Sequence, residues 1–254
     1  MNRILYAIIL VAAITSCAES YNIQGSSSVA RLDGSKLYLK VVRDNKLQSI
    51  DSCEVVHGKF RFSGSYDSTR MASLYMDDRS VMPLVVEQGD ITIRIDDAQQ
   101  RVSGTPLNEL LYDFLDRHQQ LDNQLVELGH RESQMLLDGI DEDEISSQLS
   151  LEAQEIARRT DSLETYFIID NFDNVLGPGI FMMITSGYQY PILTPQIEEL
   201  MSKATEAFKN DAYVSEYYRV ANEIHQQMQG GGEPTSTTIE EPNDSLVQSI
   251  LNAE

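Results

Sequence analysis

The residues of this chain best suited to chemistry are its two cysteines and four histidines. A catalytic thiolate needs an electropositive, partly exposed setting. Cys53 instead lies in the alternating segment SIDSCEVVHGKFRFSG, where it shares an apolar face with Val55 and Phe62. We therefore interpret Cys53 as a core residue. The histidines are scattered, and none stands four residues from another, as two metal ligands on one helix would. They are His57, His118, His130 and His225.

The common catalytic motifs do not occur in the sequence either. It contains no Gly-x-Ser-x-Gly elbow, no P-loop and no His-Glu-x-x-His pattern. The acidic run from Asp138 to Glu144 lacks the alternating oxygen ligands of a calcium loop, and it is typical of a helix start, where negative charge is favoured. We therefore predict that the protein is not an enzyme and holds no metal and no cofactor. A hydrolase whose site is assembled from distant residues stays open.

The charge balance excludes one class of partner. The 254 residues carry 19 basic and 40 acidic side chains, which gives a formal net charge of -21. Binding to nucleic acid depends largely on neutralising phosphates with basic side chains. We therefore expect no nucleic-acid partner, and we interpret the acidity as a source of solubility rather than as a cation-binding function.

The amino terminus has the features of an export signal. Residues 1–16 contain one positive charge at Arg3 and an apolar run from Ile4 to Ile14 that is too short to span a bilayer. The run ends in Ile-Thr-Ser followed by Cys17, which resembles the lipobox of bacterial lipoproteins. That resemblance implies cleavage before Cys17, acylation of its thiol and attachment to a membrane through the lipid. The alternative is an ordinary secretory peptide, with Cys17 incidental.

The residue that follows Cys17 indicates the membrane to which the protein is sorted. Ala18 follows Cys17, which resembles the sorting pattern of Gram-negative lipoproteins sent to the outer membrane. We expect a lipid-anchored protein of the cell envelope, and the sequence leaves open whether it faces the periplasm or the outside. With Cys17 acylated, only Cys53 would remain, so we expect no internal disulfide.

Tyrosines are the residues that best suit a contact surface. Tyr188 and Tyr190 flank a Gly/Pro loop, and Tyr213, Tyr217 and Tyr218 lie in the last helical segment. Amphipathic rings of this kind are favoured at protein interfaces. We predict that these five residues could form a surface for an envelope protein partner. The alternative is a partly buried layer between helices.

Residues 17–104 are expected to form an antiparallel β domain, which contains Cys53 and His57. The segment alternates in short runs broken by Gly, Asp, Asn and Ser, which predicts about seven strands in a sandwich or barrel. A hairpin turn at His57 and Gly58 would pair Cys53 with Phe62, Val55 with Phe60 and Glu54 with Arg61.

Residues 105–229 are expected to form a helical bundle. Thr105 and Pro106 predict the start of a long helix, and a second helix over 141–170 would pack antiparallel to it. Three further helices are predicted after these two. They are a short helix over 179–185, a helix that Thr194 opens and that runs through Phe208, and a helix over 212–229. Residues 230–254 are rich in Gly, Pro, Ser, Thr and acids and predict a disordered acidic tail. The fold class is thus α+β.

Several stretches taken together resemble a known arrangement. The sequence is similar to an N-terminal domain of unknown function. The likeness rests on the lipobox, the strands GKFRFSG and GDITIRI, the junction VSGTPLNELL and the long helices. This domain precedes a thioredoxin-like domain in many Gram-negative lipoproteins and thiol-disulfide oxidoreductases, and the likeness covers about residues 21–224. Here no Cys-x-x-Cys pair follows, so no residue can receive the redox role of those relatives.

Two functions are consistent with these observations. The first is a non-catalytic envelope lipoprotein that acts as a binding or accessory module. The alternative is an accessory partner of a separate thioredoxin-like thiol-disulfide oxidoreductase. A dithiol cycle needs two thiols, so we expect no reductase activity from this chain itself.

Overall fold

The computed structural model describes residues 20–43, 46–65, 67–97 and 99–229. The predicted signal peptide of residues 1–16, the lipidation site at Cys17 and the predicted tail of residues 230–254 therefore lie outside the described residues. Within the described ranges, no helix combines the length and the apolar character that a membrane crossing requires.

The alternating segments form the sandwich of the two predicted alternatives, with eight strands in two four-stranded sheets instead of about seven strands. The first sheet has the strand order β4-β1-β7-β8 and the second has the order β3-β2-β5-β6. The strands are β1 Ser20–Ser27, β2 Lys36–Arg43, β3 Lys46–Glu54, β4 Lys59–Ser65, β5 Arg70–Met76, β6 Arg79–Val86, β7 Gly89–Ile95 and β8 Gln100–Ser103. One strand pair departs from the expected antiparallel pattern, because β1 lies between β4 and β7 and runs parallel to β7.

The central hairpin has the expected turn, and Val56 pairs with Lys59 directly beside it, but the predicted strand pairs beyond this one do not form. His57 and Gly58 adopt positive φ angles of 51° and 66°, as a two-residue hairpin turn requires. Beyond the turn the chain crosses between sheets, so Cys53 pairs with Leu37 of β2 and Phe62 pairs with Ile23 of β1.

The predicted pairs of Cys53 with Phe62, Val55 with Phe60 and Glu54 with Arg61 are therefore wrong. Val55 instead exchanges backbone hydrogen bonds with Gly34 and Ser35, and Arg61 donates to Asn22 Oδ1 at 2.9 Å. Placing one strand in each sheet lets Val55 and Phe62 line the same core from opposite sheets.

Within residues 106–229, six helices follow the sandwich, and most begin where the sequence predicts. They are α1 Pro106–Leu137, α2 Glu142–Asp170, α3 Leu176–Thr185, α4 Pro195–Lys203, α5 Glu206–Lys209 and α6 Ala212–Gln229. The segment after Thr194 differs from the single predicted helix. It stops at Lys203, because Ala204 is extended and Thr205 caps a new helix through the N–H of Phe208.

Helix α1 closes the open edge of the sandwich through its first two turns. Asn108 is fully buried, and its side-chain amide accepts the N–H of Val85 at 2.8 Å and donates to the Val85 carbonyl at 2.7 Å. It thus satisfies the backbone groups of edge strand β6 that a neighbouring strand would otherwise bind. Tyr112 donates to the carbonyl of Pro83 at 2.8 Å. We call Glu87, Asn108 and Tyr112 the joint.

The start of α1 is capped by a residue from a distant part of the sequence. Glu87 Oε1 accepts the N–H groups of Leu107 and Asn108 at 3.0 and 3.2 Å. Thr105 occupies the predicted N-cap position, but its side chain makes no cap bond, and its hydroxyl accepts from Asn108 instead. A buried carboxylate thus complements the positive end of the helix dipole.

Two apolar cores result from this arrangement. The main core is continuous from the sandwich into the helices. A second, smaller core holds the far halves of α1 and α2 together and contains Leu121, Leu128, Ile145, Leu149 and Ile156. The two helices are antiparallel, as predicted, since Arg131 pairs with Glu152 and Gln124 with Arg159. We call residues 121–156 the distal hairpin.

Candidate functional site

An arginine-lined groove lies between α1 and α2 where the distal hairpin meets the rest of the helical region. Its volume is about 410 Å3, and its walls combine three arginines with glutamine and tyrosine side chains over an apolar floor. Its main lining residues are Arg117, Gln120, Leu121, Gln124, Arg158, Arg159, Leu163 and Tyr166. We call this feature the arginine groove.

Helical periodicity explains why these side chains converge. Arg117, Gln120 and Gln124 are three and four residues apart on α1, so they form one row along that helix. Arg158 and Tyr166 stand eight residues apart on α2 and likewise share a face. Because the two helices are antiparallel, the two rows border the same groove.

The arginines of the groove are only partly neutralised. Arg158 donates twice to Glu155, at 2.9 and 2.7 Å. Arg159 donates to the neutral amide oxygen of Gln124 at 3.1 Å. Among the described residues, Arg117 forms no hydrogen bond or ion pair with another side chain, and it is exposed.

The composition of the groove is the reverse of that of the chain. The whole sequence has about two acidic side chains for each basic one, whereas the groove has three arginines and one carboxylate, Asp170, among its lining residues. Guanidinium groups bind carboxylates and phosphates through paired hydrogen bonds. The groove is therefore suited to an anionic group, and Leu121, Leu163 and Tyr166 offer apolar contact beside it.

A second polar cluster joins α1, α2 and α4. His118 Nε2 lies 3.0 Å from Glu164 Oε1, and His118 Nδ1 lies 3.0 Å from Asp122 Oδ2. Gln196 donates to the other oxygen of Glu164 at 3.0 Å. The hydrogen bond to Glu164, with support from the charge of Asp122, raises the pKa of His118 above its ordinary value.

This histidine cluster braces the helices rather than offering a catalytic base. Both ring nitrogens of His118 already face carboxylates, so neither is free for a substrate. The scatter of the histidines along the sequence hid this cluster, although the spacing of His118 and Asp122 by four residues was a signal. Across the described part of the chain, no group of three or more His, Cys, Asp or Glu side chains could hold a metal ion.

The five predicted tyrosines lie in different surroundings. Tyr217 is buried, and its hydroxyl contacts both the N–H and the carbonyl of Ile192 at 3.1 Å. Tyr213 is half-buried, and its hydroxyl lies 3.0 Å from Thr185 Oγ1. Burial raises the pKa of both phenols.

The other three tyrosines are more accessible. Tyr188 and Tyr190 are exposed, at 38% and 40% of their full surface, and Tyr218 is half-buried. The structure therefore does not gather the five tyrosines on one exposed surface. A role for Tyr188 and Tyr190 in partner contact stays a prediction.

Cys53 occupies a half-buried position on the edge strand β3, packed against the main core. Burial raises the pKa of its thiol to about 11, so the group is protonated at neutral pH. A protonated thiol is a poor nucleophile. The position is thus apolar and partly shielded, although its strand partner is Leu37 rather than the predicted Phe62.

Comparison with known proteins bears on the N-terminal part of the chain. Residues 21–111 match the model of a family described as a domain of unknown function, DUF4369, and the family scan finds no thioredoxin domain. No curated protein and no solved structure gives a significant match. The matched residues run from the first strand into the second turn of α1, and the arginine groove lies beyond them. The sandwich, together with Glu87 and Asn108 of the joint, therefore corresponds to an N-terminal domain of unknown function, DUF4369, and Tyr112 of the joint directly follows the matched residues.

Proposed function

We propose that the protein is a non-catalytic, lipid-anchored envelope protein that binds an anionic segment of a partner in its arginine groove. The observation that carries this proposal is the concentration of Arg117, Arg158 and Arg159 in one groove of a chain with a net charge of -21. Charge complementarity of this kind favours partner selection and raises association rates.

The sandwich and the joint support this role as a scaffold. The joint fixes the start of α1 to strand β6 through buried hydrogen bonds, and the groove begins about three turns further along the same helix. A binding surface carried on a rigid element loses little freedom when a partner docks. The groove would thus be presented away from the sandwich.

Site-specific photocrosslinking in cells tests the binding role. A photoreactive residue at Gln120, which lines the groove, should capture an envelope protein. The same residue at Gln119, which is exposed on α1 but does not line the groove, should not. Arg117→Glu combined with Arg159→Glu should abolish capture at Gln120. Equal capture at both positions, or capture that survives the double charge reversal, would refute the groove as the binding site.

The membrane anchor needs a separate test. Cys17→Ala should release the protein from membranes or leave its precursor uncleaved, because the lipid would be attached to this thiol. The measurement is membrane fractionation with mass spectrometry of the mature amino terminus. A mature wild-type protein that carries no lipid and is recovered in the soluble fraction would contradict the anchor.

The same capture experiment addresses the alternative function. An accessory role beside a separate thioredoxin-like oxidoreductase, motivated by the relatives that the sequence resembles, stays a second proposal. Recovery of a thioredoxin-like protein at Gln120 would support it, and recovery of partners without redox motifs would count against it.

A further inference from the structure

We infer that the acidic C-terminal segment of this same chain, residues 233–254, occupies the arginine groove when no partner is bound. This inference rests on the proposed binding function of the groove. It adds a form of regulation, since a partner would have to displace the segment. The residues of the segment lie outside the described part of the chain, so the argument uses their sequence and the geometry of the groove.

Charge is the first reason for this assignment. The segment carries five acidic residues and no basic one. They are Glu233, Glu240, Glu241, Asp244 and Glu254. Paired carboxylates at positions 240 and 241 suit the two guanidinium groups of the groove that form no ion pair among the described residues, Arg117 and Arg159.

The apolar residues of the segment match the floor of the groove. Its last part, SLVQSIL, contains Leu246, Val247, Ile250 and Leu251. The groove offers Leu121 and Leu163 beneath the arginines, and Tyr166 is 64% exposed at the rim. These four residues, together with Ile239, are the large apolar residues of the segment, and they can contact the apolar side chains of the groove.

The reach of the segment is sufficient. Helix α6 ends at Gln229, and 25 residues follow it. At about 3.3 Å per extended residue they can span roughly 80 Å. Helix α1, the longest helix described, has 32 residues, which at 1.5 Å per residue is about 48 Å. A tether of this length keeps the segment at an effective concentration of about a millimolar near the groove.

Crosslinking within the purified full-length chain tests the inference. A photoreactive residue at Gln120 should crosslink to peptides from residues 233–254, and the matched control at Gln119 should not. Arg117→Glu with Arg159→Glu should reduce the yield at least about fivefold, and added salt should reduce it as well, because the contact is electrostatic. Arg131→Glu, on the same helix but paired with Glu152, serves as the control for added charge. The circular dichroism spectrum identifies any variant that fails to fold, and Arg117→Gln with Arg159→Gln then replaces it.

The outcomes separate this inference from the proposed function. Mixed isotope-labelled and unlabelled chains should give crosslinks within one chain only. Crosslinks between chains would assign the groove to a second copy and overturn the inference. Capture of a partner at Gln120 in cells, without any crosslink to residues 233–254 in the purified chain, would also overturn it and leave the proposed function intact. If the groove binds a partner and residues 233–254 occupy it in the absence of that partner, deletion of residues 230–254 should increase partner capture in cells.

Discussion

The first turns of helix α1 and the stretch beyond its third turn differ in how their polar groups are satisfied. At its start, Asn108 is fully buried, and each of its polar atoms has a partner in the joint. Further along, Arg117 is exposed, and Arg159 across the groove donates its hydrogen bond to the neutral amide of Gln124. Buried polar groups must be paired for a protein to be stable, whereas exposed ones need not be. One helix therefore serves stability at its start and remains open to a ligand beyond its third turn.

The two apolar cores also differ between the start of α1 and the distal hairpin. The sandwich and the first turns of α1 belong to the main core, whereas the distal hairpin depends on five buried apolar residues. A region with few buried contacts opens locally at a lower free energy than the rest of a protein. Changes in the joint should therefore unfold the molecule, whereas changes in the distal hairpin should act locally.

The largest expected effect comes from the joint. Asn108→Ala would leave the buried N–H and carbonyl of Val85 without their partner. Each buried group left unpaired costs about 1 to 3 kcal/mol, so we expect a loss of about 4 kcal/mol in the free energy of unfolding. Chemical denaturation measures it. The control is Asn123→Ala, an exposed asparagine of the same helix, which should change stability by less than about 0.5 kcal/mol. A similar loss in both variants would refute the role of the joint.

A smaller and more local effect is expected in the distal hairpin. Leu149 is 7% exposed in the second core, and Leu149→Ala should cost about 2 kcal/mol, the low end for a buried leucine. Hydrogen exchange should become faster in the distal hairpin and remain unchanged in the sandwich. Leu151→Ala is the matched control, because Leu151 lies on the same helix and is 73% exposed. Faster exchange throughout the sandwich would show that the two regions unfold together.

The histidine cluster predicts a pH dependence. The pKa of His118 is raised above 6.5 in the folded state by its hydrogen bond to Glu164. The protonated imidazole therefore stabilises the fold fully below pH 6.5, and this contribution is lost as the pH rises through the raised pKa. We expect the melting temperature to fall as the pH rises above 6.5, and His118→Gln should remove part of this slope.

His130→Gln is the control for this pH experiment. His130 lies on the same helix, its side chain is 74% exposed, and its nearest carboxylate, Glu127, is 3.8 Å away. This substitution should leave the slope as it is in the wild type. If His118→Gln kept the full slope, the pH dependence would have to come from other groups.

The smallest effect is expected at Cys53. Because its pKa is about 11 instead of 9.0, the thiolate fraction at pH 8 should be about 100-fold lower than that of a free cysteine. Alkylation should be correspondingly slow until the protein is unfolded. Cys53→Ser should cost only about 1 kcal/mol, because the site is half-buried. Labelling of the native protein as fast as that of the denatured protein would contradict this account.

The sequence by itself determined the class of fold and the positions of most elements. Alternation with period two identified the sandwich, and the Thr-Pro starts at residues 105 and 194 located two helices correctly. These signals are local, since side-chain periodicity and capping depend on residues only a few positions apart. The resemblance to a domain of unknown function has the same basis and agrees with the match over residues 21–111.

The tertiary structure alone decided which distant residues meet. The crossing at His57 and Gly58 was misread because a hairpin turn looks the same whether the next strand stays in its sheet or enters the facing one. Neither Glu87 capping α1 nor His118 meeting Glu164 leaves a complete local pattern, because the partners stand 20 or more residues apart. The arginine groove likewise exists only because two antiparallel helices bring Arg117 and Arg159 to the same face. Long-range packing sets such contacts, and it depends on the shape of the whole core rather than on spacing along the chain.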